Sequence, residues 1–207
     1  MVRFGVLVSG SGSNLQAILE AQDRGDLGEG AIGVVLSNVP TALALARAQQ
    51  HGVATAIVDH KVIRDRAQFD AALVATLQAH QVDWVVLAGF MRLVGAGFLD
   101  AFPDRVVNIH PALLPAFPGM HAPAQAIAYG VRIAGCTVHF VDEGCDTGPI
   151  IAQRAVAVHD GDDEATLQAR IQTEEHRLYP AVLRAIAEGR VTRHGRRVAV
   201  AGDVLRF

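Results

Sequence analysis

Lysine is almost absent from this sequence: Lys61 stands alone, and no glycine-rich loop precedes it. A nucleoside triphosphate site built from such a loop and its lysine is therefore excluded. Cysteine is as scarce. Cys136 and Cys145 form no CxxC, so the two thiols read as reduced and structural rather than as a metal or redox pair. Long basic runs are missing too. The longest is Arg196-Arg197, and the net charge is −3, so no general grip on nucleic acid is expected. No apolar stretch reaches the ~20 residues of a membrane span. The histidines are scattered, with no HxxxH or HExxH, so no metal is expected. The first residues, MVRFGVLVSGSGS, run straight from a strand into a glycine turn. They lack the apolar core and small-residue cleavage site of a secretory leader, which predicts a cytoplasmic protein.

What is present is apolar and alternating. Of the 207 residues 51% are hydrophobic, enough for one α/β domain with a large core. Strands are predicted at RFGVLVS, AIGVVLSN, VATAIVD, VDWVVLAGF and RVVNI. Between them lie the helical stretches SNLQAILEAQDRG, with a Ser or Asn cap, TALALARAQQHG and DRAQFDAALVATLQAH. That alternation predicts a Rossmann-like, open, mostly parallel sheet with helices on both faces. After a proline-broken loop come a helix, HAPAQAIAYG, and two strands, IAGCTVHFV and PIIAQRAVAV, joined by DEGCDTG. A link so short joins antiparallel neighbours. A long helix follows, expected to bend near Pro180, and then a terminal hairpin, about 191–200. The whole reads as a single domain, 1–207, with an N-terminal phosphate-binding half of about 1–105 and a C-terminal catalytic half of about 106–190.

Two stretches carry chemistry. In VSGSGSNLQAI, Gly10 and Gly12 let backbone amides approach a ligand at a helix start, an anion site suited to one phosphate. The alternative is an ordinary tight turn. Dinucleotide binding fits poorly, because Leu15 falls where a third glycine belongs and Asn38 replaces the ribose-binding acid. In VVNIHPALLPAFPG, Asn108 and His110 are two apart on a strand and so point the same way, at the carboxyl end where open α/β sheets place ligands. An amide and an imidazole aimed together can stabilise an oxyanion; the alternative is a pair that merely caps the loop. A carboxylate would hold the imidazole charged. Asp142, Glu143 and Asp146 are all candidates, and the residues alone do not choose. Cys145 is a weaker candidate as nucleophile, and His121, His139 and His176 read as packed or hydrogen-bonded.

The segments SGSGSNLQAI, VVLAGFMRL, NIHPALLPAFPG, HFVDEGCDTGPII and RIQTEEHRLYP occur in the order and rough spacing of the glycinamide ribonucleotide formyltransferases. The chain resembles that family to about residue 190. The resemblance implies the formyltransferase fold and transfer of a formyl group from 10-formyltetrahydrofolate, as co-substrate, to glycinamide ribonucleotide in purine synthesis, with the folate assigned to the C-terminal, catalytic half of about 106–190. It implies no metal, no nucleic acid or membrane partner, and a monomer or homodimer. It assigns catalysis to Asn108, His110 and Asp146. It assigns the phosphoribosyl substrate to Gly12, Ser13, Asn14, Leu15, Gln172 and Glu175. It assigns the folate to Arg66, with Arg64 as alternative, and to Met91, Arg92, Leu93, Val94 and Asn108. The sequence departs from the family pattern at DEGC before Asp146 and at Ala124. A formyltetrahydrofolate hydrolase and a methionyl-tRNA formyltransferase rank behind, because each is expected to carry a further domain. A non-catalytic module binding a phosphorylated ligand is the rival of a different class.

Overall fold

The computed structural model describes residues 1–202; the end of the expected 1–207 domain, residues 203–207, lies outside the described residues. One sheet contains β1 (Val2–Val8), β2 (Gly30–Ser37), β3 (Thr55–Ile57), β4 (Trp84–Leu87), β5 (Val106–His110), β6 (Ile133–Phe140) and β7 (Ile150–Ala157). Their spatial order is β3-β2-β1-β4-β5-β6-β7. The first five run parallel, whereas β6 and β7 pair antiparallel with their neighbours. The helices are α1 (Ser13–Asp23), α2 (Leu43–Gln50), α3 (Arg66–Ala79), α4 (Ala96–Ala101), α5 (Ala122–Tyr129) and α6 (Glu164–Ala187). A separate hairpin, β8 (Val191–His194) with β9 (Arg197–Val200), follows.

Strand alternation sorts the core into two layers. Phe4, Val6, Val86, Val107 and Ile109 pack with α1, α2, α5 and α6. Leu7, Val85, Leu87 and Val106 pack on the other face with α3 and α4. Each fully buried Leu, Val or Phe contributes about 1.5–3 kcal/mol, so this sorting fixes which way every strand residue points. Asn108 and His110 share the parity of Val106 and therefore lie on the α3/α4 side. Chain order reverses between β1 and β4, which opens the crevice where doubly wound sheets bind ligands. Beside it, the fully buried Tyr179 of α6 ties β4 to β5. Its hydroxyl lies 2.9 Å from the Leu87 carbonyl oxygen and 3.2 Å from that of Val107.

Several boundaries differ from expectation. The third strand shrinks to Thr55–Ile57 at the sheet edge, and the fourth to Trp84–Leu87. α4 is unforeseen, because a six-residue helix containing a glycine gives no periodic signal. α1 is capped by neither Ser nor Asn: Gly12 is the N-cap, at φ +73°, with Ser13 and Asn14 inside the first turn. α6 continues through Pro180 as one helix, although Pro180 has no N–H to offer the His176 carbonyl.

The β6–β7 connection is tight enough to demand glycine. A Cβ on Gly148 would overlap the Phe140 carbonyl oxygen, which cannot move without opening the strand. Gly148→Ala is expected to lower stability by about 2–3 kcal/mol. The shift of its denaturant midpoint, at unchanged slope, measures this.

Candidate active site

The proline loop answers a question that its sequence raises, namely what an imidazole does at the end of a buried strand. Residues 111–121 fold back over β5. Thr137 Oγ1 on β6 donates to the Ala112 carbonyl at 2.6 Å and accepts the Leu114 N–H at 3.0 Å. Gln153 Nε2 on β7 reaches the Leu114 carbonyl at 2.9 Å. So pinned, the loop places the Phe117 carbonyl 2.8 Å from His110 Nε2, and the Gly119 N–H donates to Asp146 Oδ2 at 2.8 Å. A carbonyl only accepts, so Nε2 carries a proton and is spent there. The nitrogen left for chemistry is Nδ1, which faces Asp146 Oδ2 at 3.3 Å.

The other side is set by strand register. Asn108 pairs with His139 across β5 and β6. Asn108 Nδ2 lies 3.2 Å from His139 Nε2 and 3.5 Å from Asp146 Oδ1. His139 Nδ1 faces the Phe140 carbonyl at 2.8 Å, which fixes its ring. Asp146 itself adopts φ +56°, a left-handed conformation that Asp tolerates better than most residues. Asp142, by contrast, is consumed locally: it accepts from Thr147 Oγ1 at 2.6 Å and from the Gly144 N–H at 3.2 Å. Glu143 is exposed. Geometry therefore joins Asp146 alone of the three carboxylates to Asn108 and His110.

Burial and charge oppose each other here. His110 is 5% exposed. Its burial lowers the imidazole pKa below the ordinary 6.5, and His139 adds to this, while the Phe117 carbonyl and Asp146 pull it back up. Burial would raise the Asp146 carboxyl, but His139, the Gly119 N–H and His110 outweigh it and bring it down to about 2. The carboxylate is thus ionised at any working pH, next to an imidazole whose charge depends on what else enters the site.

The glycine turn and the strip 89–95 flank this cluster at the crevice. Asn14 Nδ2 donates to Glu175 Oε2 of α6 at 3.0 Å, and burial raises the Glu175 carboxyl above its ordinary range. Gln172 lies one helical turn earlier, half-buried, and the Leu15 side chain is in the core, so only its backbone faces outward. Ser9 ties the turn to the strip. Its N–H donates to the Gly89 carbonyl at 3.1 Å, and its Oγ accepts the Met91 N–H at 2.9 Å and donates to Asn38 Oδ1 at 2.6 Å. At the far end of the strip, Arg66 Nη2 donates to the Val94 carbonyl at 3.1 Å and Asp70 Oδ2 accepts the Gly95 N–H at 2.8 Å. Arg92 lies over the Phe69 ring, while Met91 and Leu93 are 70% and 59% exposed. Arg64 Nε donates to the Lys61 carbonyl, at 3.4 Å. Cys145 is exposed, and burial raises its thiol pKa, with Asp146 adding to that, which argues against a nucleophile. Among the described residues no cluster of three or more His, Cys, Asp or Glu is arranged to hold a metal ion.

His139 is packed and hydrogen-bonded as expected; its place beside Asn108, and the parts played by Thr137 and Gln153, were not foreseen. Pairing the two strands IAGCTVHFV and RVVNI antiparallel, with the polar residues facing, would have exposed the first two.

Known proteins match this chain throughout. The formyl transferase family matches residues 2–183. A Mycobacterium tuberculosis phosphoribosylglycinamide formyltransferase is 47% identical over 195 residues, covering 94% of this chain and 89% of that protein. The trifunctional purine biosynthetic protein adenosine-3 of Drosophila melanogaster is 46% identical over 188 residues, or 90% of this chain, but this chain spans only 14% of its length. Among solved structures, glycinamide ribonucleotide transformylase 1 from Symbiobacterium toebii superposes with a TM-score of 0.94 at 52% identity, over 97% of this chain and 94% of that one.

Asp146→Asn tests the electrostatics. A carboxyl held at about 2 against an ordinary 3.8 contributes about 2 kcal/mol. Because the folded value is the lower one, that contribution is full above the ordinary value and is lost as pH falls towards about 2. The variant is expected to lack this acid-side slope in urea unfolding. Its His110 pKa, read by NMR titration, is expected to fall further.

Proposed function

Because the chain belongs to the formyl transferase family, we propose that it transfers the formyl group of 10-formyltetrahydrofolate to the amine of glycinamide ribonucleotide, a step of purine biosynthesis. The observation that carries this reading is the convergence of Asn108 Nδ2, at 3.5 Å, and His110 Nδ1, at 3.3 Å, on the Asp146 carboxylate. No metal takes part in the reaction as written.

The geometry supports the following roles. The neutral amine of the acceptor attacks the formyl carbon. Negative charge gathers on the formyl oxygen, and Asn108 Nδ2 and His110 Nδ1 are the donors placed to receive it. Burial keeps the free imidazole hard to charge, so the arriving oxyanion and Asp146 together favour its protonated form. One water beside Asp146 suffices to carry the proton from the attacking amine to the leaving N10. The rest is alignment of two bound substrates, which contributes about 7–11 kcal/mol in favourable cases.

The turn at Gly12, Ser13, Asn14 and Leu15 takes the phosphate, with Gln172 and Glu175 towards the ribose. A carboxyl whose pKa burial has raised suits hydrogen bonding to hydroxyl groups. The strip Met91, Arg92, Leu93 and Val94 takes the flat pterin. It offers exposed apolar side chains and is anchored at both ends, by Ser9 and by Arg66 with Asp70. The expected halves, about 1–105 and about 106–190, share this work rather than dividing it, since α6 faces the phosphate turn and the pterin strip precedes residue 105. All these groups come from one chain, so a monomer or a homodimer serves equally. No helix among the described residues is long and apolar enough to cross a membrane, in keeping with work in the cytoplasm.

Folate product formed only when glycinamide ribonucleotide is supplied is the expected assay result. Product without that acceptor would mean a hydrolase, and no product under either condition would leave a binding module. Asn108→Ala and His110→Ala are each expected to cut kcat roughly a hundredfold or more, with near-normal substrate binding. Steady-state kinetics checks this, and full activity in both would remove the pair from the mechanism.

A further inference from the structure

The phosphate turn is gripped from behind by α2. The Ala44 N–H, at the start of that helix, donates to the Gly10 carbonyl at 3.2 Å. One turn on, Arg47 Nε donates to the Ser11 carbonyl at 2.8 Å and its Nη1 reaches Gln16 Oε1 at 3.1 Å. Two consecutive carbonyls of the turn are thereby held on the α2 side. In a planar trans peptide the N–H points opposite to the carbonyl it follows. Holding the Gly10 and Ser11 carbonyls against α2 thus turns the Ser11 and Gly12 N–H groups away from it. The contact is close: a Cβ on Gly12 would lie 2.7 Å from Ala44 Cβ and 2.9 Å from Ala44 Cα. Together with the free N–H groups at the start of α1, the turned amides complete an anion cradle made of backbone.

We propose that Arg47 is the positioning residue of this cradle, acting on the substrate phosphate through the Ser11 peptide rather than as its counter-ion. The inference rests on the reading of the turn as the phosphate site. The guanidinium fork suits the task, because it donates at once to a carbonyl and to a side-chain amide, which a lysine ammonium at the end of a flexible stem does with less pre-organisation.

The test uses Arg47→Gln and Arg47→Lys in the full chain. Inorganic phosphate is the direct probe, titrated calorimetrically without folate. The expected result for Arg47→Gln is about tenfold weaker phosphate binding. KM for glycinamide ribonucleotide should rise by the same factor, with kcat and KM for 10-formyltetrahydrofolate unchanged within about twofold. With the acceptor lacking its phosphate, glycinamide riboside, wild type and variant should react equally well. Arg47→Lys should recover only a small part of the phosphate affinity. Full recovery by lysine would show that charge alone matters and would overturn the proposal. So would an equal slowing with both acceptors, which marks a general disturbance, or a wild-type protein that binds no phosphate. A wild type that binds phosphate, with the variant weakened, but transfers no formyl group would leave the cradle standing and remove the proposed reaction instead.

Discussion

One half-buried carboxylate holds the site together. Burial alone would raise the Asp146 carboxyl, and the compensation comes from three other stretches of chain. β5 brings the His110 ring and the Asn108 amide, the proline loop brings the Gly119 N–H, and β6 brings His139. The Gly119 N–H contact is short, at 2.8 Å, while those of His110, Asn108 and His139 lie at 3.3, 3.5 and 3.6 Å. Their number and common direction make the ion stable where it stands. Removing it would take this partner from the His110 Nδ1 and the Gly119 N–H and leave the Asn108 amide with His139, so electrostatics and loop conformation are aspects of one arrangement.

That arrangement explains why some of the molecule was legible from the sequence and some was not. The alternation of apolar strands with capped helices sufficed for a mostly parallel sheet, and the short DEGCDTG link for its antiparallel end. Asn108 and His110 were legible because strand periodicity and two prolines put them together at a strand terminus. His139 was not, since it is far from His110 in sequence and meets Asn108 only through the β5–β6 register. Thr137 was hidden for the same reason. The choice of Asp146 over Asp142 came first from family resemblance. It became physical only when Asp142 proved to be occupied by Thr147 and Gly144. α4 and the Gly12 cap escaped because short helices and left-handed caps leave no periodic trace.

The glycine turn and the strip 89–95, proposed above as the two substrate half-sites, are also mechanically joined. Ser9 precedes the turn yet satisfies the Met91 N–H of the strip, and its N–H holds the Gly89 carbonyl. Asn14 reaches across to Glu175 on α6, the helix whose Tyr179 touches both β4 and β5. The crevice between β1 and β4 is therefore braced on both sides by side chains that also tie down backbone. Such bracing suits the proposed function, which needs two reactants held at a fixed separation.

The packing of Gly148 against Phe140 bears on how this chain can be re-engineered. With no slack in the β6–β7 link, one inserted residue would either rotate Asp146 out of reach or slip β7 along β6, and a slip of one would carry Gln153, which holds the proline loop, to the opposite face. Fusion partners or reporters belong instead at the exposed turn around Gly161, where a Cβ would meet no neighbour.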